Sequence, residues 1–170
     1  MNYHNITKDD MLNGDGLRVV LWVAGCSHCC KECQNPITWD PDGGLLFDDA
    51  AKQEIFDQLD QDYIEGITFS GGDPLYKNNL EDVKKLITKI RKDYPNKNIW
   101  LYTGYTYEDI MTGTTEDMLK RQEIIKNIDI LIDGPFIISK KDLRLEWRGS
   151  SNQRIIDMQE TIKQNKIIEI

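Results

Sequence analysis

An α/β fold built on parallel strands is what this 170-residue sequence predicts, and three observations predict it. Short, mostly apolar runs rich in β-branched and aromatic residues recur along the chain. Between them lie stretches whose apolar residues repeat at helical spacing. Strands of this apolar kind, joined by helical crossovers, imply parallel pairing with helices laid over the sheet.

Taken in order, residues 17 to 24, LRVVLWVA, read as a buried strand ended by Gly25, so the cysteine-rich stretch that follows is the loop after a strand. From Asp48, DDAAKQEIFDQLDQD sets Ile55, Phe56 and Leu59 on one helical face behind an acidic start that complements a helix dipole. GITFSGG, from Gly66, is the next strand. From Asn79, NLEDVKKLITKIRKDYP spaces Leu80, Val83, Leu86, Ile87 and Ile90 at helical intervals and stops at Pro95. NIWLYTGY, from Asn98, reads as the third strand, TTEDMLKRQEIIKNI as a helix, and DILIDGP, from Asp129, as the fourth strand. The remainder holds one strand near residues 154 to 158, behind a polar loop. Five or six parallel strands are too few for a closed eight-stranded barrel, so the expectation is a partial or open (β/α) barrel. The length fits one domain over residues 1 to 170, with no internal repeat or linker.

Composition narrows the function. An apolar fraction of 39% and a charged fraction of 29% describe an ordinary soluble globular chain. A net charge of −8 repels phosphate, which sets aside nucleic acid as a partner. The start, MNYHNITKDD, lacks the basic and apolar regions of a signal peptide, and no apolar run approaches bilayer length, so a cytoplasmic location and no membrane partner are expected. In a reducing compartment, clustered cysteines are metal ligands or redox groups rather than disulfides.

All four cysteines lie within GCSHCCKECQNP, residues 25 to 36. One grouping takes Cys26, Cys29, Cys30 and Cys33 as two CxxC pairs, a closed site for zinc or an electron-transfer cluster. The other takes Cys26, Cys30 and Cys33, a CxxxCxxC spacing that leaves one iron of a [4Fe-4S] cluster open. Geometry favours the second, because adjacent cysteines in an extended loop point apart. Cys29 then reads as an exposed or packed thiol, and His28 as a solvated loop residue rather than a ligand. In parallel α/β folds, chemistry gathers at the carboxyl ends of the strands. SGGDP (residues 70 to 74), TGY (103 to 105) and Asp133-Gly134 all sit there with the cysteines. Paired glycines let a backbone approach a ligand closely, although GGDP taken alone reads more readily as a tight turn. Arg18 suits a carboxylate anchor or a structural salt bridge. WRGSSNQR, residues 147 to 154, has the composition of a stretch that grips a peptide backbone, or of an ordinary capped loop. The mixed charge around residues 84 to 92 is a solvated helix face.

CxxxCxxC after the first strand, with GGDP after the second, resembles the radical S-adenosylmethionine (SAM) enzymes. NGDGLRVVLWVAGCSHCCKECQN, SGGDPL, LIDGPF and WRGSSNQRII are similar to the activases of anaerobic ribonucleoside-triphosphate reductase, a glycyl-radical enzyme, and the likeness covers nearly the whole chain. The resemblance implies a barrel of the radical SAM type and a [4Fe-4S] cluster on Cys26, Cys30 and Cys33, whose open iron is chelated by SAM. It implies reductive cleavage of SAM and hydrogen abstraction from a glycine of the reductase, with no catalytic side chain beyond cluster and SAM. Gly71, Gly72, Asp73 and Pro74 match the SAM-binding turn, Glu32 and Gln34 the loop that meets the adenine, and Thr103 and Asp133 strand-end positions that help hold SAM or a cation. Asp73 stands where many members carry Glu, and Glu32 where many carry an aromatic. Arg148, Asn152, Gln153 and Arg154 fall in the stretch expected to receive the reductase's glycine loop or line the SAM pocket. A flavodoxin-like electron donor and a homodimer are implied in the same way. Two other readings stand beside this one: a short radical SAM enzyme acting on a small molecule, and a non-enzymatic four-cysteine carrier or zinc module.

Overall fold

The computed structural model describes residues 1 to 170 and places seven strands in one sheet. Its centre is β2 (Arg18–Val23), β4 (Gly66–Gly71), β5 (Asn98–Tyr102) and β6 (Ile130–Asp133), paired in parallel in that order. On one side, β1 (Asn2–Asp10) runs antiparallel to β2 and carries the two-residue β3 (Leu45–Leu46) on its outer edge. On the other, β7 (Arg154–Asp157) runs antiparallel to β6. The sheet is therefore mixed, with four parallel strands rather than the five or six expected. The segment between β6 and β7 holds only a 3-10 turn, and without a helical crossover the chain returns antiparallel.

Helices α1 (Asp49–Leu59), α2 (Leu80–Asp93), α3 (Tyr107–Thr112), α4 (Glu116–Ile125) and α5 (Met158–Gln164) are started by short polar side chains or by a 3-10 turn. Asp48 Oδ1 accepts from Ala51 N at 2.9 Å, and Thr106 and Thr115 cap α3 and α4 in the same way. In α2, Glu81 and Asp82 open the helix and Arg91 and Lys92 close it, an arrangement that complements the helix dipole.

Alternate strand residues separate the two faces of the sheet. Val19, Leu21, Ile67, Phe69, Ile99 and Leu131 pack with Ile55, Val83, Ile87, Ile90 and Ile124 of the helices in one core. The opposite face holds a smaller cluster of Trp100, Ile130, Ile132 and Ile155, against which Trp147 packs. Helices thus cover one face, while the other is closed by connecting segments. No helix is long and apolar enough to cross a membrane.

Arg18 lies on this second face and is fully buried. It has no carboxylate partner, contrary to both expectations for it. Its guanidinium donates to Thr68 Oγ1 (2.8 Å), the Asp15 carbonyl (2.8 Å) and the Ile67 carbonyl (3.0 Å), and stacks 5.1 Å from the Trp100 ring centroid. Burial lowers its pKa to about 10, which leaves it a cation at neutral pH. Arg18→Met keeps the bulk but orphans these acceptors. It is expected to cost about 2–4 kcal/mol, since each unmet buried polar group costs ~1–3 kcal/mol. Chemical denaturation should show a lower midpoint at unchanged slope.

Candidate functional site

The carboxyl ends of β2, β4 and β5 and the segment after β6 meet at one cavity of about 270 Å³. Cys26, His28, Cys30, Cys33 and Gln34 line it from the first loop, Ser70, Gly71, Gly72 and Asp73 from the second, and Thr103 and Gly104 from the third. Gly134, Phe136, Gly149 and Gln153 close the remaining side. The sequence motifs at the strand ends therefore converge as expected.

The cysteine loop is anchored at its base. Gly25 N donates to Thr38 O (2.8 Å), Cys26 N to Trp39 O (3.1 Å), and the Asn79 side chain to the Ala24 carbonyl (2.9 Å). Left-handed backbone at Cys29 (φ +48°) and Glu32 (φ +59°) then winds the loop. Backbone N–H groups point at each of three sulfurs: those of His28 and Cys29 at Cys26, that of Phe136 at Cys30, and that of Asn35 at Cys33 (3.4 Å). Burial nevertheless pushes the Cys26 thiol up to about 11 and raises that of Cys30. A metal must therefore displace their protons as it binds. Cys29 is exposed and does not line the cavity.

The Gly-Gly-Asp turn is stitched directly to this loop. Gly72 N donates to Val23 O and Asp73 N to Gly25 O, both at 2.8 Å. The approach is so close that a Cβ on Gly72 would stand 2.5 Å from Gly25 O, and Gly71 also adopts φ +102°. Asp73 is buried, and every group around its carboxylate donates to it. Leu75 N reaches Oδ1 at 2.8 Å, Thr103 Oγ1 reaches both oxygens at 3.0 and 2.9 Å, Gly104 N reaches Oδ2 at 3.0 Å, and His28 Nε2 reaches Oδ2 at 2.7 Å. Its carboxylate is thus an internal hub, and the open surface of the turn is mainly backbone. Pro74 is buried behind the turn, and Glu32 is exposed outside the cavity.

Asp133 also faces inward rather than to the cavity. It accepts from Tyr107 N (2.8 Å) and from Arg154 through Nε (3.0 Å) and Nη2 (2.5 Å). Arg154 reaches on to Glu108, whose carboxyl it holds down to about 2. Gln153 donates to the Gly134 carbonyl and accepts from Gly149 N, Asn152 donates to the Pro135 carbonyl, and Arg148 Nη1 donates to the Gln153 carbonyl. These four residues largely brace the segment that closes the cavity. Arg148 Nε and Asn152 Oδ1 are buried without a partner and keep unmet hydrogen-bonding capacity.

His28 departs from the solvated position expected, since its side chain is only 18% exposed. Gly104 is the central residue of the TGY motif, and Phe136 directly follows Asp133-Gly134-Pro135, but neither carries a polar side chain that would mark it individually. Asn13 and Trp22 also line the cavity, and nothing in their local sequence signals it.

A family model described as a 4Fe-4S single cluster domain matches residues 12–156. An anaerobic ribonucleoside-triphosphate reductase-activating protein of Enterobacteria phage T4 is 42% identical over 155 residues, which cover 91% of this chain and 93% of the relative. Proteins of the same name from Haemophilus influenzae and Escherichia coli K12 are each 39% identical, covering 91% and 90% of this chain and 97% and 96% of their own. The chain belongs to this family of activating proteins. The cysteine loop and the Gly-Gly-Asp turn both lie inside the region that the 4Fe-4S model matches.

The residues fit such a cluster. Three partly buried thiols with amide N–H groups directed at sulfur are the donor set that iron–sulfur clusters use, and those N–H groups tune the cluster electronically. No three His, Cys, Asp or Glu side chains converge on a single point as one ion would require. A four-iron cluster, with each ligand on its own iron, does not require that.

Proposed function

We propose that this protein activates an anaerobic ribonucleoside-triphosphate reductase as a radical SAM enzyme of one domain, with Cys26, Cys30 and Cys33 holding a [4Fe-4S] cluster. The observation that carries this reading is the convergence of those three thiols with the Gly71-Gly72 backbone on one cavity, from which Cys29 is excluded. Loaded with the cluster and SAM, such a site supplies reductive cleavage of SAM and abstraction of a hydrogen from a glycine of the reductase. The protein's own contribution is positioning and shelter. Gly71 and Gly72 admit a ligand against the backbone, Thr103 and Asp73 hold the turn in place, and Gln34 stands at the rim of the cavity for the adenine. Glu32, exposed outside it, and Asp133, paired with Arg154, serve the site through loop and frame. Arg148, Asn152 and Gln153 brace the wall that meets the reductase's glycine loop. A partial barrel of the radical SAM type, a flavodoxin-like electron donor, a homodimer and a cytoplasmic location complete the proposal.

The test is anaerobic iron–sulfur reconstitution followed by electron paramagnetic resonance of the reduced protein with and without SAM. A [4Fe-4S]⁺ signal that changes on adding SAM is expected. A signal indifferent to SAM, or zinc bound with no cluster, would overturn the mechanism in favour of a four-cysteine carrier.

A further inference from the structure

We infer that His28 is a positioning residue whose imidazole clips the cysteine loop to the Gly-Gly-Asp turn and holds the three thiols in register for the cluster. The inference rests on the cluster reading above but stands on its own geometry.

Residues 27 to 33 make no backbone hydrogen bond to any other part of the chain, the Cys33 N to Cys30 O contact being internal to the loop. Apart from the Phe136 N–H at the Cys30 sulfur, the loop's polar tie to the scaffold is the His28 ring. Its Nε2 stands 2.7 Å from Asp73 Oδ2. Because an ionised carboxylate only accepts, the ring carries its proton on Nε2 in this contact. The ring is also held sterically. It lies edge-on to Tyr105, with centroids 4.6 Å apart and planes at 76°. Tyr105 is itself fixed by Arg121, which stacks on its ring at 4.5 Å and donates to its hydroxyl and to the Leu75 carbonyl. The clip is therefore backed by the turn it grips.

Gly104 supplies the slot. A Cβ there would stand 2.4 Å from His28 Cδ2 and 2.7 Å from its Nε2. The backbone of Gly104 is not in the left-handed region, so the glycine answers to the imidazole rather than to a turn. This gives two independent ways to release the loop: removing the ring, or filling its slot.

Two readouts test the clip: hydrogen exchange of the Cys26, Cys33 and Asn35 amides, which carry the hydrogen bonds of the loop and its ends, in the metal-free protein, and the rate at which reconstituted protein yields iron to a ferrous chelator. His28→Ala is expected to raise local exchange and iron release by on the order of 10–100-fold, the usual effect of losing a group that orients metal ligands. Gly104→Ala should reproduce both effects, yet add nothing in the His28→Ala background, where no ring remains to displace. His28→Gln, which keeps a donor, should restore part of the protection that His28→Phe does not. Exchange and iron release at wild-type levels in His28→Ala would overturn the clip. So would effects of the two alanine variants that simply add, or full protection in His28→Phe. If Gly104→Ala fails to fold, the Gln and Phe variants decide alone. The metal-free exchange is blind to the cluster, so a wild-type protein that takes up no iron would sink the cluster reading and leave the clip to be judged on exchange.

Discussion

Replacing Cys26, Cys30 or Cys33 singly with Ser is expected to abolish stable cluster assembly, while Cys29→Ser should load iron and sulfide as the unaltered protein does. The three differ from the fourth in position as well as spacing. Each is partly buried at the cavity with a backbone N–H directed at its sulfur, whereas Cys29 sits exposed on a left-handed residue of the loop and turns away. A serine hydroxyl is a harder, far less acidic donor than a thiol and holds iron poorly in a sulfide cluster. Iron and acid-labile sulfide per chain, with the visible absorption of the reconstituted protein, give the readout. Iron lost from Cys29→Ser to the same degree as from Cys30→Ser would restore the four-thiolate grouping.

Asp73→Ala is expected to be the most destabilising change at the site. Its carboxylate receives four donors from three strand-end segments, two of them backbone N–H groups at Leu75 and Gly104. Each buried donor left without a partner costs about 1–3 kcal/mol, so a loss of roughly 3–6 kcal/mol follows. Against a total stability of about 5–15 kcal/mol, that threatens the fold itself. Thermal unfolding should show the midpoint lower by ~10 °C or more. Asp73→Asn retains one acceptor but turns an NH₂ group toward groups that also donate, so it should fall between Ala and the unaltered protein. A midpoint within two degrees of wild type for Asp73→Ala would show that the hub is dispensable.

The central strands and the longer helices were legible because burial on both faces writes continuous apolar runs, and burial on one face writes helical periodicity. α2 is the clearest case, with Leu80, Val83, Leu86, Ile87 and Ile90 all buried. β1 is not legible in the sequence, for the opposite reason. NYHNITKDD buries only Ile6 and presents polar groups along an outer strand, which no hydrophobic pattern betrays. β3, of two exposed residues, and α3, of six, are too short to carry a period. At the site, the cysteines and the paired glycines were readable because their chemistry is local in sequence. The fates of Asp133 and Arg154 were not, since Glu108, Asp133 and Arg154 meet only through folding, and a carboxylate at a strand end looks the same whether it faces a ligand or an arginine. The burial of His28 is illegible for the same reason: its partners Asp73, Gly104 and Tyr105 are 45 or more residues away.

The stitching of the second turn onto the first loop has a consequence for the order in which a growing chain is made. All four cysteines have been translated by residue 33, but the donors and walls that enclose them arrive with Gly72 and Asp73, then with Gly104, and finally with Phe136. Through roughly a hundred residues of synthesis, four thiols within eight positions travel unsheltered, open to oxidants and stray metals. The most oxygen-sensitive groups in the protein are translated early and enclosed late.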